Sequence, residues 1–209
     1  FYFCAPTKYT QIFKEGGVDF VTAANNHMMD FKEKGADSTY AALEEAGIPY
    51  GAEKQAQILT TRNGLKIGIY TQGTNSKPYD SAAEIADAIA GLRRDGAQYV
   101  ICMYHWGKEL YYRPNDQQIE LAHASIDAGA DLVYGSHSHC LQPIEEYNGG
   151  LILYSVGNWV FGGNTAPTDC DTAIIQVKVE RDVYGNLKTA GVDAIPCCVS
   201  SRIDSAQAH

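Results

Sequence analysis

Along the first two thirds of the chain, apolar positions follow two different periods, and glycines mark where one gives way to the other. The order helical stripe, glycine stop, apolar run occurs four times. A segment ending at Lys14-Glu15 meets Gly16-Gly17 and then VDFVTAA (18–24). Ala36, Tyr40 and Leu43 share one helix face, Gly47 ends that helix, and Ile48-Pro49-Tyr50 follows. Ser81-Ala82-Ala83-Glu84 has the spacing of a capping box, and Ala82, Ile85, Ile89 and Leu92 form a stripe stopped by Gly96 ahead of QYVICMY (98–104). Asn115 or Asp116 opens a fourth helix with Ile119, Ala122 and Ile126 inward, stopped by Gly129 ahead of Leu132-Val133-Tyr134. A cap satisfies the unpaired N–H groups of a first turn, and glycine accepts the left-handed residue that ends a helix. Helices alternating with wholly apolar strands predict a largely parallel sheet.

Two stretches break the pattern. QILTTR, Asn63-Gly64 and LKIGIYT predict a β-hairpin with a tight turn. After residue 140 the helical period disappears. PIEEY, LILYSVGN, TAIIQVKVE and LKTAGVDAI, separated by Gly149-Gly150 and Tyr184-Gly185-Asn186, predict antiparallel strands. The expected architecture is α/β with two packed sheets flanked by helices.

The apolar strands end in chemistry. Leu132-Val133-Tyr134 runs through Gly135 into a loop carrying His137 and His139, VDFVTAA into Asn25-Asn26-His27, and QYVICMY into His105-Trp106-Gly107. Four of the six histidines thus fall at the C-terminal ends of predicted strands, the edge where open α/β sheets bind ligands.

Composition narrows the reading. At 209 residues and 45% hydrophobic content the chain can bury one sizeable core, so a single domain over 1–209 is expected. A formal net charge of −9 argues against nucleic acid as the partner, and an anionic substrate would need local positive charge such as a bound metal. No stretch is long and apolar enough for a membrane-spanning helix. The chain opens at Phe1, close to its first helix, in the manner of a fragment. The lack of a targeting segment therefore carries no information on location. The six cysteines show no CxxC spacing; Cys102 reads as a buried small hydrophobe, and vicinal Cys197-Cys198 as either reactive or inert.

Imidazoles converging from rigid strand ends suit zinc, iron or manganese; the alternative is surface loop histidines. Asn26 offers a neutral oxygen ligand beside His27. Asp30, three residues on, can fix the tautomer of His27, which would make that ring a general acid; a solvated histidine in an Asn-Asn loop is the alternative. His123 lies on the face of Ile119 and Ile126, which marks a core or boundary position, and His209 is terminal and expected to be disordered. Trp106 reads as packing, Glu109 as an acceptor behind a ligand or a solvated carboxylate, and Tyr111, Tyr112 and Arg113 as substrate contacts or an edge cover. Asn158 either faces the site or shapes a turn. No G-x-S-x-G elbow, P-loop or GxGxxG is present.

ANNHMMD (24–30), GADSTYAALEEAGIPYGA (35–52), YHWGKE (104–109) and DAGADLVYGSHSHCLQPIEEYNGGLILYSVGNWVF (127–161) resemble the capsule-synthesis protein CapA family of poly-γ-glutamate synthesis, within the calcineurin-like metallophosphoesterase superfamily. The resemblance runs from Phe1 to Phe161. It implies a four-layer α/β/β/α sandwich of the metallophosphoesterase type, with two divalent metal ions (Zn, Mn or Fe) at the strand ends. By position, Asn26, His105 and His137 resemble ligands of one metal and His139 a ligand of the other. His27 resembles the leaving-group proton donor, with Asp30 behind it. The superfamily's first Asp or Glu ligands lie N-terminal to the Asn-His motif and are not found before Asn25. The chain is therefore expected to lack the N-terminal strand or strands and to hold an incomplete dinuclear site. Ser136 stands where many members carry another histidine.

The function expected from the resemblance is a metal-dependent hydrolase of a phosphoester or related bond, acting on an anionic small molecule or polymer in cell-envelope polymer synthesis. Its rivals are a non-catalytic binding or scaffold subunit of a capsule-synthesis membrane complex, and an amide hydrolase acting on the polymer. The expected location is the extracellular face of the bacterial membrane, anchored by a segment absent from this chain.

Overall fold

The computed structural model describes residues 2–73, 78–159 and 167–199, so Phe1, Phe161 and His209 lie outside the described residues. After a 3₁₀ turn at Thr7–Tyr9, the elements run α1 (Thr10–Glu15), β1 (Val21–Thr22), α2 (Lys32–Ala46), β2 (Tyr50–Gly51), β3 (Gln55–Thr60), β4 (Lys66–Gln72) and α3 (Ala82–Arg94). They continue with β5 (Tyr99–His105), α4 (Asp116–Asp127), β6 (Leu132–Ser136), β7 (Ile144–Tyr147), β8 (Gly150–Leu153), β9 (Asp171–Arg181) and β10 (Leu187–Cys198).

The helix signals act as the sequence predicts. Ser81 and Glu84 form a reciprocal capping box on α3, and Asn115 with Gln118 does the same on α4. Gly47 ends α2 at φ +68°, and Ile48 N–H donates to Leu43 O at 2.9 Å. The hairpin β3–β4 forms as well, but its turn is wider than Asn63-Gly64 alone. Gly64 N–H donates to Thr61 O, Gly64 takes φ +82°, and Thr61 N–H reaches Leu65 O. Glycine sits there as the left-handed residue after a tight turn, not as half of a two-residue loop.

A six-stranded sheet of order β3-β4-β5-β6-β8-β7 forms the centre, parallel from β4 through β8 with antiparallel strands at both edges. Its strands alternate their side chains between two faces. One face takes Tyr70, Val100, Cys102 and Val133 into a core with Ile85, Ile89 and Leu92 of α3 and Ala122 and Ile126 of α4. The other packs Tyr99, Leu132, Leu151 and Leu153 against Leu187, Ile175, Val177 and Val192 of the antiparallel β9–β10 hairpin. Thr71 belongs to that second face, and its hydroxyl donates to Ala52 O at 2.6 Å, which seats the parallel pair β1–β2 there too. α2 joins β1 to β2, with Tyr40 stacked on Tyr50 at 4.9 Å. The second β layer is thus two separate strand pairs among the described residues. The apolar run 18–24 yields only Val21–Thr22, because β1 pairs with a partner of just two residues, Tyr50–Gly51.

One contact holds the middle strands at the ends that matter. The Trp106 indole N–H donates to Tyr154 O at 3.0 Å, and Trp106 stacks on Tyr104 at 4.5 Å. The indole and the Tyr154 carbonyl close over Gly135, where a Cβ would collide with Tyr154 O and stand 2.5 Å from Trp106 Nε1. Backbone cannot step aside as a flexible side chain does, so Gly135→Ala is expected to cost about 3 kcal/mol or more. Urea denaturation checks this; a loss under about 1 kcal/mol would mean the three strand ends are not locked through this contact.

Candidate functional site

Register places the ligand-type residues side by side. His105 is the last residue of β5 and Ser136 its partner in β6. The Ser136 hydroxyl lies 3.0 Å from His105 Nδ1 and 3.4 Å from Tyr104 O. Burial, followed by the neighbouring His137, His139 and His27, pushes the His105 pKa down to about 3, so the ring is neutral at pH 7.

His105 Nε2 meets two other polar atoms. Asn26 turns its amide oxygen to His105 Nε2 at 2.8 Å, and His137 Nδ1 stands 3.1 Å from the same nitrogen. Asn26 is brought there by the loop after β1, where His27 N–H donates to Asn25 Oδ1 at 2.8 Å. The loop lies against the end of β4 because Gly73 has no side chain; a Cβ there would be 2.7 Å from the Ala24 carbonyl. These polar atoms converge on one point, and an amide oxygen with two imidazole nitrogens is a donor set that a borderline divalent metal accepts. The residues present fit an ion on this count. Among the described residues, no group of three or more His, Cys, Asp or Glu side chains is arranged to hold a metal; the convergent set is two imidazoles and an amide.

The loop after β6 reaches this arrangement under backbone strain. His137 has φ +98° and His139 φ +56°. Leu110 N–H donates to Ser138 O at 2.7 Å and Trp106 N–H to Ser136 O at 3.0 Å, which ties this loop to the one after β5. His139 stands apart from the trio. Its Nδ1 donates to Asn158 Oδ1 at 2.6 Å, and its ring centroid is 6.4 Å from that of His137.

His27 and Asp30 form the pair the spacing suggests, with His27 Nδ1 3.0 Å from Asp30 Oδ2. The Phe3 N–H bond to the same oxygen, aided by the bond from His27, lowers the Asp30 pKa and keeps it ionised. His27 Nδ1 is therefore the donor, which orients the ring. The Phe3 ring lies edge-on to His27 at 4.5 Å.

The remaining candidates separate cleanly. His123 is a boundary residue, stacked on Tyr147 at 3.7 Å and bonded to Glu145. Trp106 is packing, 1% exposed. Glu109, Tyr111, Tyr112 and Arg113 are exposed, with Lys108 Nζ donating to Tyr111 OH at 2.7 Å. Asn158 faces the site by holding His139. Ser136 is the residue sequence reasoning undervalued. Its signal was its place at the C-terminal end of the strand beside the one ending in His105, where register makes the two partners.

Residues 1–163 match the family described as bacterial capsule synthesis protein PGA_cap. The chain is 31% identical over 204 residues to the capsule biosynthesis protein CapA of Bacillus anthracis, covering 88% of this chain and 48% of that protein. It is 29% identical over 201 residues to the PGA biosynthesis protein CapA of Bacillus subtilis, covering 88% and 53%. The chain thus spans about half the length of these curated relatives. A solved structure described as a novel phosphatase from Mycoplasma pneumoniae superposes with a TM-score of 0.60 at 14% identity, over 91% of this chain and 76% of that one. The fold is the α/β sandwich of the metallophosphoesterase type.

The strain at His137 has a measurable consequence. Alanine at φ +98° keeps the steric penalty and glycine removes it, so His137→Gly is expected to be more stable than His137→Ala by about 1 kcal/mol. Urea denaturation of the two variants checks this; equal or reversed stabilities would contradict a left-handed residue here.

Proposed function

The chain belongs to the bacterial capsule synthesis protein PGA_cap family, and we propose that it is a metal-dependent hydrolase of a phosphoester or related bond in capsule or poly-glutamate synthesis. The observation that carries this reading is the convergence of Asn26 Oδ1, His105 Nε2 and His137 Nδ1 on one point. A divalent ion (zinc, manganese or iron) held by these three residues would supply positive charge for an anionic substrate and acidify water. His139 is proposed as a ligand of a second ion in the full-length protein.

The chain's own residues prepare the rest of the chemistry. Burial keeps His105 neutral, with Nε2 turned toward Asn26 and His137. Asp30 holds His27 by Nδ1 and stabilises the imidazolium when His27 is protonated. The protonated ring gives its Nε2 proton to the departing oxygen, which lets a poor leaving group leave as an alcohol. Asn158 Oδ1 accepts from His139 Nδ1 and so orients that ring.

The substrate class proposed is an anionic small molecule or polymer, drawn to cationic chemistry at one point of a chain of net charge −9. No helix among the described residues is long and apolar enough to cross a membrane. The setting proposed by family membership is the extracellular face of the bacterial membrane, through an anchor outside this chain and within a capsule-synthesis complex.

A non-catalytic binding subunit is the second reading. It is favoured by the absence, among the described residues, of a carboxylate-containing metal cluster. Turnover of bis-p-nitrophenyl phosphate by the full-length protein with added Mn²⁺ or Zn²⁺ separates the two. The hydrolase reading expects His27→Ala to lose about 100-fold in kcat with its metal content unchanged. It expects a loss of about 10-fold for Asp30→Asn. No metal-dependent turnover, or a His27→Ala variant as fast as wild type, would leave the binding subunit standing.

A further inference from the structure

We propose that Gln118 and Gln142 are positioning residues for the strand-end site, joined in a one-directional amide tether from the N-terminus of α4 to the loop that grips His137 and His139. This role rests on the reading of Asn26, His105 and His137 as a metal site, and it concerns what keeps the histidine loop in place.

Main-chain groups at its two ends fix the direction of the tether. Asn115 N–H donates to Gln118 Oε1 at 3.0 Å. A backbone N–H can only donate, so the Gln118 oxygen faces α4 and its NH2 faces away. Gln118 Nε2 then donates to Gln142 Oε1 at 2.9 Å. Gln142 Nε2 donates in turn to Tyr111 O at 2.6 Å, and a backbone carbonyl can only accept. The two ends thus set the same sense independently. Both side chains are inside the protein, 2% and 6% exposed, where a reversed or ionised group would leave polar atoms unpaired.

Helix capping alone does not call for this amide. On α3 the same position holds Glu84, whose exposed carboxylate closes the capping box. The box on α4 uses only the oxygen of Gln118, and the NH2 serves the tether. Gln118 also lies against Gly107, two residues after His105, where a Cβ would stand 2.6 Å from Gln118 Oε1. Gln142 is seated by its own main chain, with its N–H donating to Ser155 O at 3.1 Å. The Tyr111 carbonyl it holds is one residue from Leu110, whose N–H donates to Ser138 O at 2.7 Å. Ser138 lies between His137 and His139, both in the left-handed region of φ. The tether therefore ends beside the main-chain bond that keeps a strained ligand loop in place.

Gln118→Glu separates the tether from the cap. Its carboxylate still accepts from Asn115 N–H, as Glu84 does on α3, but an ionised carboxylate has no hydrogen for Gln142. The test measures amide hydrogen exchange by NMR and Zn²⁺ affinity by titration calorimetry on this chain. The variants are Gln118→Glu, Gln142→Glu and the exposed control Gln117→Glu. A tether predicts that Leu110 N–H exchanges about tenfold faster in Gln118→Glu and Gln142→Glu than in wild type or the control. Ile119 N–H, bonded to Asn115 O at 3.1 Å, keeps its wild-type rate in Gln118→Glu because the cap survives. Zn²⁺ is expected to bind about tenfold more weakly to both tether variants. Unchanged Leu110 exchange in Gln118→Glu, or Ile119 exchange rising with it, would overturn the tether. Faster Leu110 exchange with wild-type zinc affinity would overturn its positioning role. A wild type that binds no zinc would instead defeat the metal reading, and the exchange rates would still decide whether the tether exists.

Discussion

The absence of a side chain at Gly135 is the constraint from which the strand-end geometry follows. It lets the Trp106 indole and the Tyr154 carbonyl meet above β6 and join through a hydrogen bond that is buried on every side. Each partner adjoins a functional segment. Trp106 follows His105, Gly135 precedes Ser136 and His137, and Tyr154 leads toward Asn158. A buried N–H with a single carbonyl partner is costly to lose, so the three strand ends share one rigid frame. Ligand-type residues set on such a frame need little reorganisation to act together.

On that frame three polar side chains converge on His105. Burial keeps the ring neutral, Ser136 faces its Nδ1, and Asn26 Oδ1 and His137 Nδ1 face its Nε2. His137 reaches the same point only through a left-handed backbone. That backbone is unfavourable in the chain alone and is held by the surrounding main-chain bonds, Leu110 to Ser138 and Trp106 to Ser136. Among the described non-glycine residues with positive φ, His137 at +98° lies furthest from the left-handed helical region, and it stands at the strand-end site.

Much of this was legible in the residues. The capping boxes at Ser81 and Asn115, the left-handed stop at Gly47 and the apolar runs were enough to outline parallel strands with helices between them. The strand-end histidines followed, because side chains after the last paired residue of a parallel strand have to emerge on one edge. The His27–Asp30 pair was legible because its partners are three residues apart. What was hidden depended on register and on long-range partners. Ser136 matters because it lies opposite His105, which no local pattern states. The separation of His139 from His137 is set by Asn158, nineteen residues on. The run 18–24 looked like a full strand because apolar content records burial, whereas strand length is set by the partner, here only Tyr50–Gly51.

Asn26, His105 and His137 together are the cation site proposed for this chain. Elemental analysis of the purified protein, beside His105→Ala and a His123→Ala control, tests the proposal. A cation site there predicts bound divalent metal in the wild type and the control, and its loss in His105→Ala while the fold, read by circular dichroism, is kept. A wild type without metal after exposure to zinc and manganese, or a His105→Ala variant that keeps its full complement, would contradict it.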